Sequence, residues 1–303
     1  MVEKKFIRNN HRAEIGIIGG TGLYNLEGLE SLEEVFIETP FGLPSDAYLL
    51  GEIAGKKVAF LSRHGRGHRY LPAEVNYRAN IFGFKLLGVK RILSVNSVGS
   101  LQEDIHPRDI VLPDQFFDRS RRPNTFFGQG VVAHISFAQP TCPDLNQHLF
   151  TLAQSLNLPV HLGGTYLCIE GPAFSTRAES RVYRQWGCQI IGMTSATEAR
   201  LAREAEICYA SISLVTDYDV WHAEEESVSV ELILANLRHN IANAKTLLAR
   251  ALESIPVVPE TGACPCPRAL ENAVVTDPAV IPAEIKKNLS LLIGRYLTQE
   301  DKQ

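Results

Sequence analysis

The sequence predicts one large α/β domain with a central mixed, largely parallel twisted sheet that is flanked by helices. Three observations support this fold class. Strand-like and helix-like segments alternate from residue 15 to about residue 255, which is typical of a parallel sheet covered by helices. The chain has 303 residues, 45% of them hydrophobic, so it can bury a large core. Polar residues also follow several of the apolar runs, as at the ligand-binding edge of open α/β sheets.

Each predicted strand has alternating or continuous apolar character. In order, the predicted strands are IGIIGG, EVFIET, DAYLLGEI, KVAFLSRH, RILSVNSVGSL, DIVLPDQFFD, TYLCIEG, QIIGMTS and ICYASISLVTD. The predicted helices are LPAEVNYRANIFGFKLLG, PDLNQHLFTLAQSLNL, AESRVYRQWG, ATEARLAREAE and SVSVELILANLRHNIANAKTLLARALESI. The first of these helices has Pro72 near its first turn and Gly88 just past its end, which are typical start and stop signals.

Composition along the chain predicts three segments. Residues 1–13 form a short polar lead-in, and residues 14–255 form the main α/β domain. Residues 256–303 begin as a Pro-rich loop and end in one short helix, IPAEIKKNLSLLIGRYL, which we expect to pack on the same domain.

The overall charge and hydropathy exclude several classes of protein. A formal net charge of -4 gives no basic face for nucleic acid. No apolar run approaches the roughly 18 residues of a membrane span. The N-terminal residues have no continuous apolar core of the kind found in signal peptides, so we expect a cytoplasmic protein without nucleic-acid or membrane partners.

Most of the six cysteines lie in apolar runs, where we expect small buried side chains. Cys264 and Cys266 differ, because GACPCPRA is a Pro-rich loop. They could close a small disulfide, although a reducing cytoplasm disfavours one. They could also form half of a metal site, but no second Cys or His pair lies nearby in the sequence. We therefore expect no metal site.

The first strand runs into a glycine-rich turn, Gly19-Gly20-Thr21-Gly22. A dinucleotide fingerprint that starts at Gly20 requires glycine at position 25, and that residue is Asn25. Successive backbone N–H groups with one hydroxyl suit a small anion. A tight structural turn is the alternative.

Polar residues at five strand ends are expected to meet at one edge of the sheet. They are Thr21, Arg63, His64, Asn96, Ser97, Thr194, Asp217 and Asp219. The first six contain one permanent cation, one histidine, small donors and no acidic residue, which is the set that a phosphate requires. An exposed basic loop is the alternative for Arg63. Glycines at 65 and 67 make a metal-binding helix through His64 and His68 improbable.

Asp217, Tyr218 and Asp219 follow the strand SISLVT. The two carboxylates could cap a helix or pair with an arginine. They could also recognise a purine, because a carboxylate accepts from an exocyclic amine and a protonated one donates to a ring nitrogen. Burial and a second acid nearby both raise the pKa of an Asp, which keeps such a donor protonated near neutral pH.

Over residues 14 to 250, the sequence resembles the trimeric purine nucleoside phosphorylase family, and within it the S-methyl-5'-thioadenosine phosphorylases. The motifs that carry the resemblance are IGIIGGTGL, TPFGLPSDA, RHGRGH, NYRANI, VGSLQEDIHPRDIVLPDQFFDR, IEGPAFSTRAES, MTSATEARLAREAEICYAS and TDYDVWHAEEESVSV. The resemblance implies cleavage of the glycosidic bond by inorganic phosphate, which is a co-substrate, with adenine and 5-methylthioribose 1-phosphate as products. It implies no cofactor and no metal.

The resemblance also implies roles for individual residues. The phosphate pocket contains Thr21, Arg63, His64, Asn96 or Ser97, and Thr194. The nucleoside contacts Phe174, which stacks on the base, Met193 under the ribose, and the stretch Asp217, Tyr218 and Asp219, whose carboxylates read the 6-amino group and N7 of adenine. Of the two acids, Asp217, protonated or sharing a proton, stabilises the departing base through N7. Ser175 and Val230 match positions tied to preference for 6-aminopurines and for the methylthio group. His134 matches a residue that reaches the 5' end of the substrate from a neighbouring subunit, which implies a homo-oligomer, expected to be a homotrimer.

The sequence departs from the family pattern in three places. Asn96 and Ser97 replace a frequent Thr-Ala pair, and Gly192 replaces an Asn of some relatives. The tail after residue 255 is longer than in short members, and either Leu291 or Leu292 is a candidate to line the methylthio site.

Three other functions remain as alternatives. A phosphorylase for 6-oxopurines or methylthioinosine would prefer Asn at the position of Asp217, because an amide can donate to a 6-oxo group. An NAD-dependent oxidoreductase would need the glycine that is missing at Asn25, although Glu38 is suitably placed for a ribose. A nucleoside-binding protein without catalysis would not require Thr21, Arg63 and His64 together.

Overall fold

In the computed structural model, the described residues are 12–20, 23, 30–222, 230–257 and 264–297. The strands are β1 Ile15–Gly19, β2 Glu30–Val35, β3 Tyr48–Ile53, β4 Lys56–Ser62, β5 Arg91–Ser100, β6 Ile110–Leu112, β7 Gln115–Asp118, β8 Val160–Leu162, β9 Thr165–Cys168, β10 Ile190–Gly192 and β11 Cys208–Asp217. The helices are α1 Tyr77–Leu87, α2 Pro143–Ser155, α3 Arg177–Gln185, α4 Ser195–Glu204, α5 Val230–Ser254, α6 Ala283–Asn288 and α7 Ser290–Leu297.

The strands form one mixed sheet, as predicted. Along its main path the order is β2-β3-β4-β1-β5-β10-β9-β7, and β11, β6 and β8 extend it from the second edge of β5. Pairings of β1 with β4 and β5, and of β11 with β5, are parallel. The pairings β2–β3, β3–β4, β5–β10 and β6–β11 are antiparallel. The predicted fold class is therefore confirmed.

Two strands, β1 and β10, pair with different parts of the same edge of the central strand β5, and we call the gap between them the fork. Strand β11 occupies the other edge from Arg91 to Gly99. On the forked edge, β1 pairs with Arg91 to Ser94, and β10 pairs only with Gly99 and Ser100. Residues 95–98 therefore lack a strand partner on that edge within the described part of the chain. The fork opens a space in the middle of the sheet that side chains from both branches can enter.

The two faces of β11 differ because successive side chains point to opposite sides of a sheet. Cys208, Ala210, Ile212 and Leu214 lie in one apolar cluster with residues of α2 and α5. The alternate residues on the other face include Tyr209, Ser211 and Ser213, all buried beside α4. One face of this strand is thus ordinary core, and the other is a buried polar layer beneath α4.

Several predicted elements have different boundaries in the structure. Helix α1 begins at Tyr77, after the N-cap Asn76, so Pro72 lies outside it. Its end at Gly88 is confirmed, since Gly88 has the left-handed φ of 88° typical of a helix C-cap. The run DIVLPDQFFD forms two strands, β6 and β7, because Pro113 between them cannot donate to a ladder. Strand β8 was not predicted.

The C-terminal tail, residues 264–297, contains two helices instead of the single one predicted. Its apolar side chains join the same hydrophobic cluster as β1, β3 and α1. Glu206, just after α4, accepts the backbone N–H of Leu270 and hydrogen bonds from Arg295 and Tyr296. Leu292 is 2% exposed in this cluster, which leaves the exposed Leu291 as the candidate of the two to line the methylthio site.

The longest described helix is α5, with 25 residues. Within the described ranges, no helix combines the length and the apolar character that crossing a membrane requires.

Gly83→Ala should destabilise the fold, because a Cβ there overlaps the hydroxyl of Tyr48, which donates to the carbonyl oxygen of Asn80 at 2.6 Å. We expect the free energy of unfolding to fall by about 1–3 kcal/mol, the usual cost of overpacking. The matched control is Gly294→Ala, also inside a helix, where the nearest atom lies 4.0 Å from the added Cβ. This control should be neutral or stabilising by up to about 1 kcal/mol. Denaturant unfolding followed by circular dichroism measures both, and equal effects would contradict the packing argument.

Candidate active site

Arg63 enters the fork of the sheet directly from the end of β4. Its backbone N–H donates to the carbonyl oxygen of Gly19 at 3.0 Å, which fixes the chain as it leaves the strand. Its Nη1 donates to the carbonyl oxygen of Val95 at 3.0 Å, and its Nη2 donates to the hydroxyl of Ser94 at 2.7 Å. Val95 is at the start of the unpaired stretch of β5, so the guanidinium occupies the place where a strand partner is missing.

Glu198 of α4 forms a buried ion pair with Arg63. The Nε of Arg63 lies 2.5 Å from Oε1 of Glu198, and the two side chains are 4% and 2% exposed. Oε2 accepts hydrogen bonds from Ser94 at 2.7 Å and Tyr209 at 2.9 Å. Burial lowers the pKa of Arg63, but the Glu198 carboxylate raises it more, so the guanidinium stays charged. The prediction that no acidic residue joins this group is wrong, because a fully buried guanidinium requires a counter-charge.

His64 is half-buried beside this pair. Its Nδ1 lies 2.8 Å from the carbonyl oxygen of Tyr70, and its ring stacks on His68 with 4.3 Å between centroids. Burial and then the charge of Arg63 lower the pKa of His64 to about 4, so the imidazole is neutral at neutral pH. Because a carbonyl oxygen only accepts, the proton lies on Nδ1, and Nε2 is left as an acceptor.

Asn96 and Ser97 lie on opposite faces of β5. Nδ2 of Asn96 donates to the hydroxyl of Ser211 at 2.8 Å, beneath α4, while its buried Oδ1 has no hydrogen-bond partner. Ser97 is exposed. Of the two, Ser97 therefore has the accessible donor, and Asn96 belongs to the polar layer that supports α4.

Thr194 is the N-cap residue of α4, is 5% exposed and makes no side-chain capping hydrogen bond. It follows β10, which runs antiparallel to β5. The prediction that all five strand ends share one edge is therefore wrong for Thr194. Thr194 approaches the fork from the direction opposite to Arg63, because the short β10 ends in the middle of the sheet.

Asp217 and Asp219 are buried at the end of β11 and contact each other through the backbone. Oδ1 of Asp217 accepts the N–H of Asp219 at 2.8 Å, and Oδ2 accepts the hydroxyl of Thr216 at 2.7 Å. Asp219 has a φ of 52°, in the left-handed region. Gly99 of β5 lies against this turn, and a Cβ there would be 2.8 Å from Oδ1 of Asp217. The sequence analysis missed Gly99, whose only signal was a glycine inside a strand pattern.

The two acids are not equivalent. Burial raises the pKa of Asp219, and its buried Oδ2 has no hydrogen-bond partner among the described residues. Asp217 instead has a hydrogen-bond donor on each oxygen, an arrangement that favours the ionised carboxylate. Asp219 is therefore the acid of this pair that holds a proton more readily, whereas the sequence analysis gave the proton donated toward N7 to Asp217.

The residues predicted to contact the nucleoside come from loops around the fork. Phe174 is 48% exposed, and Met193 is half-buried at the end of β10. Ser175 has a buried hydroxyl without a hydrogen-bond partner. Tyr218 packs beside Trp221 and stacks on His222, with ring centroids 4.7 Å apart.

The sequence analysis missed Arg122, a buried side chain that joins these loops. Its Nη1 donates to the carbonyl oxygen of Met193 at 2.9 Å and to the hydroxyl of Tyr77 at 2.8 Å. Its Nη2 donates to the carbonyl oxygen of Glu170 at 3.1 Å, four residues before Phe174. Arg122 thus fixes the backbone on which the predicted ribose and base contacts lie.

Three predicted site residues lie elsewhere or outside the described part of the chain. Thr21 is outside the described residues. Val230 is the first residue of α5, and its side chain is outside them as well. His134 is exposed between β7 and α2, and its backbone N–H donates to the carbonyl oxygen of Ala273 at 2.8 Å. The roles predicted for these three residues stay predictions.

Two groups of polar side chains lie at different positions along β5. Residues around Asn96 adjoin the Arg63–Glu198 pair and the first turn of α4. Gly99, three residues further on, lies against Asp217. Three residues of a strand span about 10 Å, so the polar group around Arg63 and the acidic pair lie about 10 Å apart along β5.

Comparisons with known proteins identify the family. The model of the phosphorylase superfamily matches residues 14–253. The chain belongs to the phosphorylase superfamily. The predicted nucleoside phosphorylase-like family is thereby confirmed, and the alternative of an NAD-dependent oxidoreductase is removed.

Individual members of the superfamily are similar over nearly the whole chain. The S-methyl-5'-thioadenosine phosphorylase of Geobacter sulfurreducens is 55% identical, with 93% of this chain and 99% of that protein covered. That of Hyperthermus butylicus is 50% identical, over 87% and 96% respectively. Among solved structures, a methylthioadenosine phosphorylase from an antarctic soil metagenomic library has a TM-score of 0.88 at 48% identity, covering 93% of this chain and 99% of its own. The Schistosoma mansoni enzyme in complex with adenine has a TM-score of 0.76 at 34% identity, over 93% and 98%.

Glu198→Gln should destabilise the protein, because it leaves the buried guanidinium of Arg63 without a counter-charge. Loss of one partner of a buried pair costs about 3–5 kcal/mol in the free energy of unfolding. The control is Glu253→Gln, which removes an exposed pair with Arg250 at 2.7 Å and should change the same quantity by less than about 0.5 kcal/mol. Urea unfolding measures both variants. A loss at Glu198 no larger than at Glu253 would contradict the assigned role.

His64 should make stability depend on pH. Its pKa is about 4 in the folded chain and about 6.5 when unfolded. Between these values the unfolded state binds a proton that the folded state does not, so stability is lost as pH falls from about 6.5 to about 4. His64→Gln should remove this part of the slope, whereas His106→Gln, at an exposed site, should retain it. Unfolding free energies measured at several pH values test this, and an unchanged slope in His64→Gln would refute it.

Proposed function

We propose that this protein cleaves the glycosidic bond of S-methyl-5'-thioadenosine with inorganic phosphate, and releases adenine and 5-methylthioribose 1-phosphate. The observation that carries the proposal is that the polar group around Arg63 and two buried carboxylates lie about 10 Å apart along β5, a distance that a ribose between a bound phosphate and a purine can bridge. Relatives named as enzymes of this reaction, 50% or more identical over nearly the whole chain, support the same substrate.

Phosphate is proposed to bind in the fork. Arg63 keeps one Nη1 N–H beyond the bonds to Glu198, Val95 and Ser94. The exposed hydroxyl of Ser97 and the uncapped first turn of α4 after Thr194 add donors, and a helix N-terminus favours an anion. Because Glu198 balances Arg63 and His64 is neutral, the phosphate is held mainly by aligned N–H and O–H dipoles. Nε2 of His64 can accept the proton of a phosphate hydroxyl.

The acidic pair is proposed to read and then stabilise the purine. Asp217 accepts from the 6-amino group, while Asp219, whose pKa is raised by burial, holds the shared proton and gives it to N7 as the bond breaks. The pair titrates as a unit, so the proton belongs to both acids. Phe174 stacks on the base, Met193 lies under the ribose, and Ser175 and Val230 contribute to substrate preference.

Catalysis follows from charge separation in the transition state. Positive charge develops on the ribose and negative charge on the departing purine. Phosphate in the fork stabilises the cation and then attacks the anomeric carbon, and the acidic pair neutralises the purine. Aligned groups that stabilise developing charge are usually the largest catalytic contribution, and a general acid adds about 10²–10⁴-fold.

The proposed assembly is a cytoplasmic homotrimer, in which His134 of one subunit reaches the 5' end of the substrate in the next. Its exposed position on a loop supports this role. The reaction needs phosphate as a co-substrate and neither a cofactor nor a catalytic metal.

The reaction is tested by measuring adenine release from methylthioadenosine with and without inorganic phosphate, with adenosine and methylthioinosine as parallel substrates. We expect adenine only when phosphate is present, together with a stoichiometric sugar 1-phosphate. Cleavage of methylthioinosine in preference to methylthioadenosine would favour the 6-oxopurine alternative. Binding without cleavage of any nucleoside would support the non-catalytic alternative and overturn the proposal.

Asp217→Asn should lower kcat/KM for methylthioadenosine by about 10²-fold or more, because an amide cannot join in sharing the proton. The same change should improve the ratio of methylthioinosine to methylthioadenosine cleavage, since the amide N–H₂ donates to a 6-oxo group. The control is Asp277→Asn, a remote residue whose carboxylate accepts the N–H of Ala279. Steady-state kinetics with both substrates measure the ratio. A uniform loss on both substrates would indicate structural damage instead of base recognition.

A further inference from the structure

Four cysteines that are far apart in the sequence meet in the structure. The cysteine cluster consists of Cys142, Cys208, Cys264 and Cys266, and its Sγ atoms all lie within 4.8 Å of one another. Cys208 and Cys264 are the closest recorded pair, with 3.5 Å between their sulfurs. The expectation that Cys264 and Cys266 have no second cysteine pair nearby is wrong in space, because Cys142 and Cys208 supply it.

The cluster is held by three separate parts of the fold. Cys142 is the N-cap residue of α2, and its N–H donates to the carbonyl oxygen of Tyr209 at 2.8 Å. Cys208 is the first residue of β11, and its N–H donates to the carbonyl oxygen of Lys90 at 3.0 Å. Cys264 and Cys266 come from the C-terminal tail. All are buried except Cys264, which is half-buried. The backbones that carry Cys142 and Cys208 are thus fixed by hydrogen bonds next to the cluster.

The spacing of the sulfurs matches a tetrahedral metal site. Four points that lie within 4.8 Å of one another fit inside a sphere whose radius is about 2.9 Å. Zinc–thiolate bonds are about 2.3 Å long, so the radius of this sphere exceeds that of a zinc site by only about 0.6 Å. Side-chain rotation can produce movements of this size. The sulfurs of a tetrahedral zinc site are about 3.8 Å apart. This value lies between the 3.5 Å that separates Cys208 and Cys264 and the 4.8 Å limit for the whole cluster.

A buried cation lies beside the cluster. Arg203 is 4% exposed and donates to the carbonyl oxygens of Gln139 and Ser136, the first of which is three residues before Cys142. Its hydrogen-bond acceptors are these two backbone carbonyls, and within the described parts of the chain no carboxylate forms an ion pair with it. Four thiolates around one zinc ion carry a net charge of about −2, which provides the counter-charge that Arg203 otherwise lacks.

We propose that the cysteine cluster binds one zinc ion through four thiolates. Tetrahedral sulfur ligands select zinc or iron among the common metals, and zinc needs no redox partner. A closed set of four protein ligands is typical of a structural site, because no position is open for water or substrate. A zinc ion bound there links the C-terminal tail, through Cys264 and Cys266, to the start of β11 and to the start of α2.

This site is separate from the proposed active site. Cys208 and Asp217 are at opposite ends of the ten-residue strand β11, which spans about 30 Å. The inference is therefore independent of the proposed phosphorolysis, and either can fail without the other.

The first test uses the unmodified full-length protein, purified without added chelator. Elemental analysis should find about one zinc per chain, the stoichiometry of a single four-thiolate site. Replacement of zinc by cobalt(II) should give the intense thiolate charge-transfer and visible bands of a tetrahedral sulfur site. Iron at this stoichiometry, or six titratable thiols after denaturation without any bound metal, would overturn the proposal. A mass lower by two or four hydrogens, which indicates disulfides within the cluster, would overturn it as well.

The second test assigns the ligands. Cys264→Ser and Cys266→Ser should each lose most of the bound zinc and the cobalt spectrum, while Cys188→Ser should retain both. Cys188 is a matched control because it is equally buried but belongs to another hydrophobic cluster. If the cluster variants fail to fold, reversible zinc removal from the unmodified protein by a chelator, followed by titration of the newly reactive thiols, gives the ligand count. Equal zinc content in Cys264→Ser and Cys188→Ser, or a ligand count different from four, would overturn the assignment.

Discussion

The buried ion pair between Arg63 and Glu198 is the interaction on which the site depends. It joins the end of β4 to α4 across the middle of the sheet, and Ser94 and Tyr209 attach β5 and β11 to the same carboxylate. Neither charge has access to water, so each requires the other to remain in place. From the sequence, Arg63 looks like a free anion-binding group. In the structure its main role is to pair with Glu198, and this pair fixes the direction of its one remaining N–H donor.

The fork beside β5 explains how a pocket can form in the middle of a continuous sheet. A strand with partners along both edges has no free backbone groups and no room for a ligand. Here β10 is only three residues long and pairs with two residues of β5, so a gap remains between it and β1. The gap admits Arg63 from one side and Thr194 from the other, and Gly99 at its far end lets Asp217 approach β5 closely.

Much of this architecture can be predicted from sequence, because strands and helices carry local patterns. The predicted apolar runs overlap ten of the eleven strands in the described residues, although EVFIET overlaps β2 only at its last two residues. Polar residues at strand ends pointed to Arg63, His64 and the two acids as candidates. Contacts between residues distant in sequence have no such pattern. Glu198 looks like an ordinary residue in the first turn of a helix, and Arg122 like one of many basic residues in a loop. Cys142 and Cys208 look like separate buried cysteines until the fold brings them to the tail.

The left-handed backbone at Asp219 lowers the stability of the turn after β11. A non-glycine residue with a φ of 52° gives up about 1 kcal/mol relative to an ordinary conformation. Among the described residues, its side chain adds the cost of a buried carboxyl oxygen without a partner. A glycine would adopt the same backbone without this strain. The turn after β11 is therefore less stable than a glycine turn would be, and the surrounding core has to compensate for the difference.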